Sequence, residues 1–289
     1  MPMSNLLSQA LVNGVIIGLL YLLMAVGFTL VFGVMRVVNF AHGQFYMVGA
    51  FATYVLMSHW EAPFLLALLG AFVVTAAIGW LVEWTVLKPF RHDELNGMIA
   101  TIGVAMILQS VALLVFGPDS QIMPQVAEGV YHLGTVIIPA SRLYVAVCSV
   151  IVLAVLYVFL IHTRQGKALR AAVQDMEIAT AQGVPARLMY PLGFSIGVGL
   201  AAVAGALMAP LFSVSPFIGS TPLLKAFIVV ILGGLGSVPG AAAASLLLGV
   251  AESLASSFMS NSLAEILIFA LVMGILVLRP AGLLGKAEA

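Results

Sequence analysis

The chain has 289 residues, of which 63% are apolar and only 8% are charged. A soluble globular protein carries about 25% charged residues, and eleven basic with eleven acidic side chains cannot cover a body of this size. The composition therefore excludes a soluble enzyme, a nucleic-acid-binding module and a disordered protein, and it predicts a polytopic membrane protein. The net charge is zero and Cys148 is the single cysteine, so neither charge nor disulfide chemistry indicates a partner or a compartment.

Long charge-free windows predict an all-α transmembrane bundle of about eight membrane segments, in a single domain over residues 1–289. A helix needs about 20 residues to cross about 30 Å of hydrocarbon. The first window has no charge before Arg36 and is too long for a secretory signal, so we interpret it as a retained helix. In chain order the predicted segments are 9–33, 43–58, 63–87, 96–116, 143–162, 191–211, an interrupted segment at 223–252, and 263–279.

Lysines and arginines predict the orientation, because loops rich in these residues stay in the cytoplasm. Loop 88–95, loop 163–190 and the C-terminal tail with Arg279 and Lys286 carry this bias. Loop 117–142 has one arginine against two acidic residues. We therefore predict that loop 117–142 and the amino terminus face outward.

The same bias predicts a broken hairpin near the C-terminus, since segment 223–252 would begin and end on the outer side. Its middle, from Gly233 to Gly240, is Gly-Gly-Leu-Gly-Ser-Val-Pro-Gly, which is a poor helix. We expect two short helices that meet at this break, the alternative being one kinked helix with the tail outside. Broken backbone at membrane depth is tolerated only inside protein or beside a watery cavity, so Gly233 and Gly234 are candidates for the translocation path.

Motifs that carry catalysis or bind metals and nucleotides give no convincing site. Gly193-Phe194-Ser195-Ile196-Gly197 matches the nucleophile-elbow pattern, but it lies in an apolar helix and no histidine follows Ser195. A packing face of small residues explains it better. The five histidines are scattered and no P-loop is present, so we predict no catalytic residue, no metal site, no cofactor and no ATP hydrolysis by this chain. Glu83, Glu252 and Glu265 fall near predicted helix ends, which weakens the case for an ion-coupled carrier.

Two polar segments are candidates for function. In the first, Asn39, His42 and Gln44 lie between two very apolar helices, where polar groups are costly unless they pair or face water. This segment is either a bend that lines the translocation path or its inner gate, or a satisfied turn that only joins two helices.

The second candidate is loop 163–190, whose alanine-rich middle predicts a helix over about 170–184 that ends at Gly183 and Pro185. Ala172, Met176, Ala179 and Gly183 recur at helical spacing and form a face of low relief. Such a helix suits docking into a groove on a partner. The alternatives are a solvated helix and an interfacial helix.

These residues also resemble a known family, the LivH-type permease subunit of branched-chain amino acid ABC importers. Residues 33–47 are similar to its amino-terminal signature, although Gln44 stands where many relatives carry glutamate. The run from Arg170 through Asp175 to Gly183 looks like its ATPase-docking loop, with Glu177-x-Ala179-x-x-x-Gly183 as a degenerate EAA motif. Residues 232–241 match its late glycine-rich signature.

The resemblance implies a multi-pass protein of the bacterial inner membrane that pairs with a second, related permease subunit. Two cytoplasmic ABC ATPases would dock on loop 163–190, and a periplasmic solute-binding protein would deliver leucine, isoleucine or valine. Relatives carry urea, short amides or other amino acids. The residues implied in ATPase coupling are Arg170, Asp175, Glu177, Ala179 and Gly183. A passive channel or secondary carrier, and a membrane-embedded enzyme, are the alternatives of other classes.

Overall fold

The computed structural model describes residues 3–134, 136–279 and 282–284, so Lys286 lies outside the described residues. Within these ranges the chain forms a bundle of eleven α-helices, which confirms the predicted polytopic helical architecture. The helices are α1 (Met3–Met35), α2 (His42–Ser58), α3 (Phe64–Val82), α4 (Glu94–Phe116), α5 (Ala140–His162), α6 (Arg164–Gln174), α7 (Met176–Ala181), α8 (Ala186–Met208), α9 (Ser220–Gly233), α10 (Val238–Phe258) and α11 (Asn261–Leu278).

A short antiparallel hairpin departs from the all-α prediction. Strands β1 (Val130–Leu133) and β2 (Val136–Pro139) pair between α4 and α5, with Tyr131 opposite Ile138. Gln9 of α1 bonds both the N–H and the C=O of Ile137, at 3.0 and 2.9 Å. The hairpin therefore ties the start of α1 to the start of α5.

Six of the described helices are long and apolar enough to cross a membrane: α1, α3 with its extension to Phe90, α4, α5, α8 and α10. The shorter helices α2, α9 and α11 complete the bundle. The predicted break between residues 233 and 240 is present, because α9 ends at Gly233 and α10 begins at Val238. Gly234 and Gly236 adopt φ angles of 97° and 82° there, a left-handed conformation that glycine takes without strain.

Helices α1 and α8 form the centre of the bundle. Helix α1 packs against α5, α6, α8, α9 and α10, and α8 packs against α1, α2 and α3. Glycines allow the backbones to approach closely: a Cβ on Gly14 would lie only 2.6 Å from Cα of Val250. Ser195 is buried within α8 rather than on a strand-to-helix turn.

The antiparallel packing sorts the loops into two ends. At one end, the basic end, Arg36 approaches the carbonyl of Gln174 at 3.3 Å and Arg91 stacks on Tyr190. At the other, the hairpin end, Gln121 pairs with Val214 beyond α4 and α8. The charged loops that were predicted to be cytoplasmic thus gather at the basic end, and the side of the membrane that they occupy stays a prediction.

Candidate translocation site and coupling surface

The connection between α1 and α2 turns back into the bundle. Helix α1 ends at Met35, and Arg36 adopts a φ of 56°, which reverses the chain. Residues 36–41 then run inward, so that Nε2 of His42 lies 3.1 Å from the carbonyl oxygen of Met24. Met24 lies about three turns, or about 16 Å, before the end of α1. Helix α2 therefore begins deep in the bundle and not at its surface.

The inward turn satisfies its backbone but not all of its side chains. Asn39 Oδ1 accepts a hydrogen bond from the N–H of Ala41 at 3.0 Å, and Thr101 Oγ1 accepts one from Phe40 at 3.1 Å. The buried atoms Asn39 Nδ2, His42 Nδ1 and Gln44 Oε1 have no hydrogen-bond partner among the described residues. Because most buried polar groups are paired, these three atoms are an exception, and the choice between a functional bend and a satisfied turn stays a prediction.

A second irregular stretch meets this turn. Residues 209–219 connect α8 to α9, and Gly219 lies directly against Gly43 at the start of α2. A Cβ on Gly43 would also lie 2.9 Å from Cβ of Leu223. Irregular backbone at membrane depth belongs inside protein or beside a watery cavity, and here two such stretches are brought together.

A buried ion pair lies close by. Sequence analysis noted Glu252 only as an acidic residue near a helix end, and it did not name Lys225. Lys225 Nζ in α9 is 2.8 Å from Glu252 Oε1 in α10, with side chains only 5% and 21% exposed. The Tyr21 hydroxyl of α1 donates to Glu252 Oε2 at 2.9 Å, and Lys225 Nζ lies 6.0 Å from the Tyr21 ring centroid. The available signal was a lone lysine between two charge-free windows, which is a functional indication in a membrane segment.

These groups form one polar belt around α1, consisting of Tyr21, His42, Lys225 and Glu252. Tyr21 and the carbonyl of Met24 lie about one turn apart on α1, so the ion pair and the histidine contact neighbouring positions of one helix. The Phe28 ring packs edge-on against His42, with centroids 5.4 Å apart. The belt thus presents a cation, an anion and an imidazole ring inside an otherwise apolar bundle.

Gly233 and Gly234 lie at the break between α9 and α10, where other backbone segments approach them closely. A Cβ on Gly233 would lie 2.5 Å from the backbone N of Ala241, and Gly234 packs against Gly282. Leu283 also donates to the carbonyl of Leu232 at 2.7 Å. These contacts fix the break at the basic end and join it to the C-terminal segment.

The predicted single helix over 170–184 is wrong in one respect, because the chain breaks at Asp175 into α6 and α7. The Asp175 carboxylate accepts a hydrogen bond from the N–H of Ile178 at 2.9 Å and its backbone is extended. This is an N-cap, which starts a new helix. Thr163 caps α6 in the same way, and Gly183 follows α7 with a φ of 89°.

The face of low relief is not a free surface. Ala172 and Ala179 are buried and Met176 is half-buried. The reason is that α6 packs on α1 and α5: a Cβ on Gly33 would lie 2.7 Å from Cγ1 of Val173. Ala179, on α7, is buried as well and offers no side chain to a partner.

We call the exposed side of α6 and α7 the coupling surface, and its role in docking a partner stays a prediction. Ile178, which the sequence motif passes over, is 58% exposed there, a large fraction for an isoleucine. It stands beside exposed polar groups and the glycine that ends α7. The coupling surface comprises Arg170, Asp175, Glu177, Ile178 and Gly183.

A π-helical turn anchors the neighbouring part of the basic end. Residues Glu83–Leu87 form this turn after α3, and the fully buried Glu83 accepts a hydrogen bond from Arg91 Nε at 2.8 Å. The Arg91 guanidinium lies 4.4 Å from the centroid of the Tyr190 ring. This cluster joins the end of α3 to the start of α8, the helix that follows α7.

Residues 10–276 match the family described as the permease component of branched-chain amino acid transport systems. The chain belongs to this family. It is therefore a multi-pass transport protein, as the bundle of apolar helices indicates. Among the residues that the structure describes, no group of three His, Cys, Asp or Glu side chains could hold a metal ion.

Relatives of this permease chain carry names from the same transport system. It is 32% identical to the high-affinity branched-chain amino acid transport system permease LivH of Salmonella typhimurium, over 97% of this chain and 96% of the relative. BraD of Pseudomonas aeruginosa gives the same identity and coverage. LivM of Escherichia coli is 27% identical over 96% of this chain and 71% of its own length. No solved structure matches the chain.

Proposed function

We propose that this chain is one permease subunit of an ATP-binding cassette importer that carries leucine, isoleucine and valine across the bacterial inner membrane. Its family and the names of its relatives LivH, BraD and LivM support this solute class. Similarity to both LivH and LivM supports pairing with a second, related permease subunit. Since the sequence has no P-loop, ATP hydrolysis belongs to two partner ATPases, and a periplasmic binding protein delivers the solute.

The observation that carries the coupling proposal is the two-sided character of α6 and α7. One side exposes Ile178 and its polar neighbours at the basic end. The opposite side is fixed to α1 through Val173 against Gly33 and through Arg36 against the Gln174 carbonyl. An ATPase that docks on the coupling surface therefore acts directly on α1, which carries Tyr21 of the polar belt.

The polar belt and the inward turn form the translocation path or its gate in this proposal. A zwitterionic amino acid carries both charges into a region of low dielectric, where each must be compensated. Lys225 and Glu252 supply opposite charges there. Asn39, His42 and Gln44 each keep a buried polar atom without a described partner, which suits groups that meet a polar solute or water.

The docking proposal is tested by Ile178→Asp, which places a charge in an exposed apolar contact without touching the fold. Gly183→Arg would not separate a docking effect from a folding effect, because Gly183 has a φ of 89° and any side chain there strains the backbone. We expect the ATPase subunits to stop co-purifying with tagged Ile178→Asp. The matched control is Ile122→Asp at the hairpin end, where Ile122 is 85% exposed. Normal co-purification of the ATPases with Ile178→Asp would contradict the docking role.

Transport class and solute are tested with reconstituted vesicles. We expect ATP-dependent uptake of labelled leucine by the complete importer and none by this chain alone. Leucine uptake by the chain alone, without ATP, would identify a passive channel or a secondary carrier. Uptake of urea in place of leucine by the complete importer would contradict the proposed solute and leave the coupling proposal intact.

A further inference from the structure

A cleft of about 390 Å³ opens at the basic end, between the end of α3 and the start of α8. Three cationic and two tryptophan side chains dominate its walls, together with two prolines and a leucine. The lining residues are Trp80, Trp84, Lys88, Arg91, Pro185, Arg187, Leu188 and Pro191. It is separate from the polar belt and from the coupling surface.

The cleft has an excess of positive charge. Among the described residues that line it there is no aspartate or glutamate. The nearby Glu83 is fully buried and is bound by Arg91, and its single negative charge also acts on Lys88. Three cations therefore face one acid, and the cluster keeps an excess of two positive charges. Lys88 and Arg187 are both exposed, and Lys88 Nζ lies 6.0 Å from the centroid of the Trp84 ring. Two cations are thus available to an anion.

The cleft also adjoins the apolar outer surface of the bundle. Trp80 and Trp84 are exposed on the last turns of the α3 span, and Leu69 and Val73 are exposed further along the same helix. Tryptophan favours the level at which hydrocarbon meets lipid headgroups. A ligand in the cleft therefore meets cations at its charged end and an apolar helix face along its length.

We propose that this cleft binds an anionic glycerophospholipid, such as phosphatidylglycerol, from the leaflet at the basic end. Basic pockets between membrane helices have the chemistry that recognises lipid phosphates. Lys88 and Arg187 donate to the phosphate, Trp80 and Trp84 flank the glycerol region, and the acyl chains lie along α3. A free phosphate would use the cations but would gain nothing from the tryptophans or from α3, and the inference does not depend on the solute that the permease carries.

Tryptophan fluorescence tests the proposal in the full chain reconstituted in phosphatidylcholine vesicles. The sequence has three tryptophans, and Trp60 lies in the exposed loop after α2 at the hairpin end. The Trp60→Phe variant therefore reports on Trp80 and Trp84 alone. We expect brominated phosphatidylglycerol to quench this fluorescence at a lower mole fraction than brominated phosphatidylcholine does. Each basic residue near an anionic lipid changes its binding constant about fivefold, so Lys88→Gln with Arg187→Gln lowers the preference about 30-fold.

Arg164→Gln with Lys167→Gln is the matched control, because it removes two exposed charges from α6 at the same end but outside the cleft. This control must keep the preference for phosphatidylglycerol. An equal loss in the control would show general surface attraction and overturn the site, as would the absence of any preference in the parent. Reversal of the quenching by inorganic phosphate would show that the cleft recognises a phosphate ion and would overturn the proposal of a lipid.

Discussion

Replacing either partner of the Lys225–Glu252 ion pair should destabilise the bundle, and the loss of stability should depend on which partner is replaced. Lys225 is 5% exposed and its ammonium is 2.8 Å from Glu252 Oε1. Glu252 is 21% exposed and also accepts the hydroxyl of Tyr21 at 2.9 Å. Glu252→Gln leaves a buried cation without its anion. Lys225→Met leaves a carboxylate that is partly exposed and still accepts the hydrogen bond from Tyr21.

The expected magnitudes follow from these two environments. Removal of one partner from a buried ion pair costs about 3–5 kcal/mol, and we expect Glu252→Gln to lie in that range. A hydrogen bond to a charged group contributes about 1.5–3 kcal/mol, and the Tyr21 hydroxyl retains this for Glu252 in Lys225→Met. The free energy of unfolding should therefore fall by about 1–3 kcal/mol in Lys225→Met, which is about 2 kcal/mol less than in Glu252→Gln.

Unfolding of the purified chain in mixed micelles measures these free energies, and a double-mutant cycle isolates the pair. Lys225→Met combined with Glu252→Gln should cost less than the sum of the single variants by at least about 1 kcal/mol, because the double variant leaves no unpaired charge. Glu128→Gln, at an exposed position in the loop after α4, is the control for loss of an acidic group and should have little effect. Equal and additive single effects would refute the reasoning, since they would show that the two charges do not depend on each other.

Two further predictions concern packing and capping. A Cβ on Gly205 would lie 2.8 Å from the carbonyl carbon of Tyr46, so Gly205→Ala should lower stability by about 1–3 kcal/mol. Gly103→Ala has nothing within 4 Å of its Cβ, so it should leave stability unchanged or raise it by up to about 1 kcal/mol. Thermal unfolding of both variants checks this contrast. Hydrogen bonds from the backbone and side chain of Asn96 lower the pKa of Asp93. The Asp93 cap on α4 therefore stabilises the fold above the ordinary pKa of aspartate, and this stabilisation is lost as the pH falls through the lowered pKa. Asp93→Asn should remove this part of the acid sensitivity in thermal unfolding, and an unchanged pH profile would contradict the role of Asp93 as a charged cap.

Hydropathy predicts the helices of this chain well because a membrane segment satisfies its backbone only as a helix. The segment predicted over 96–116 agrees closely with α4, which begins beside the cap Asp93. The break near Gly233 was predictable from helix propensity, because glycine and proline are unfavourable in the interior of a helix. Asp175 could also have been recognised as an N-cap, because aspartate favours that position.

The depth at which α2 begins and the partner of Lys225 could not be predicted, because both depend on tertiary contacts. Sequence analysis left the polar segment with Asn39 open between a functional bend and a satisfied turn, and it gave no depth for it. Gly43 packs on Gly219, and this contact requires α2 to begin inside the bundle. Lys225 gains its partner only because α9 and α10 fold back on each other at the break. Ala179 matched the coupling motif by residue type, and its burial is a property of the packing of α7 and not of its spacing.

Helix α1 directly connects the coupling surface to the polar belt. It contacts α6 near Gly33 and carries Tyr21 about 18 Å further along the same helix. Its interface with α10 is formed by close backbone contacts at Gly14 and Gly18, and smooth surfaces of this kind permit small sliding movements. The hydrogen bond from Tyr21 to Glu252 and the ion pair with Lys225 then fix the relative positions of α1, α9 and α10. A displacement of α6 must either carry these three helices together or separate Tyr21 from Glu252, so the stability of the polar belt governs how far such a displacement reaches along α1.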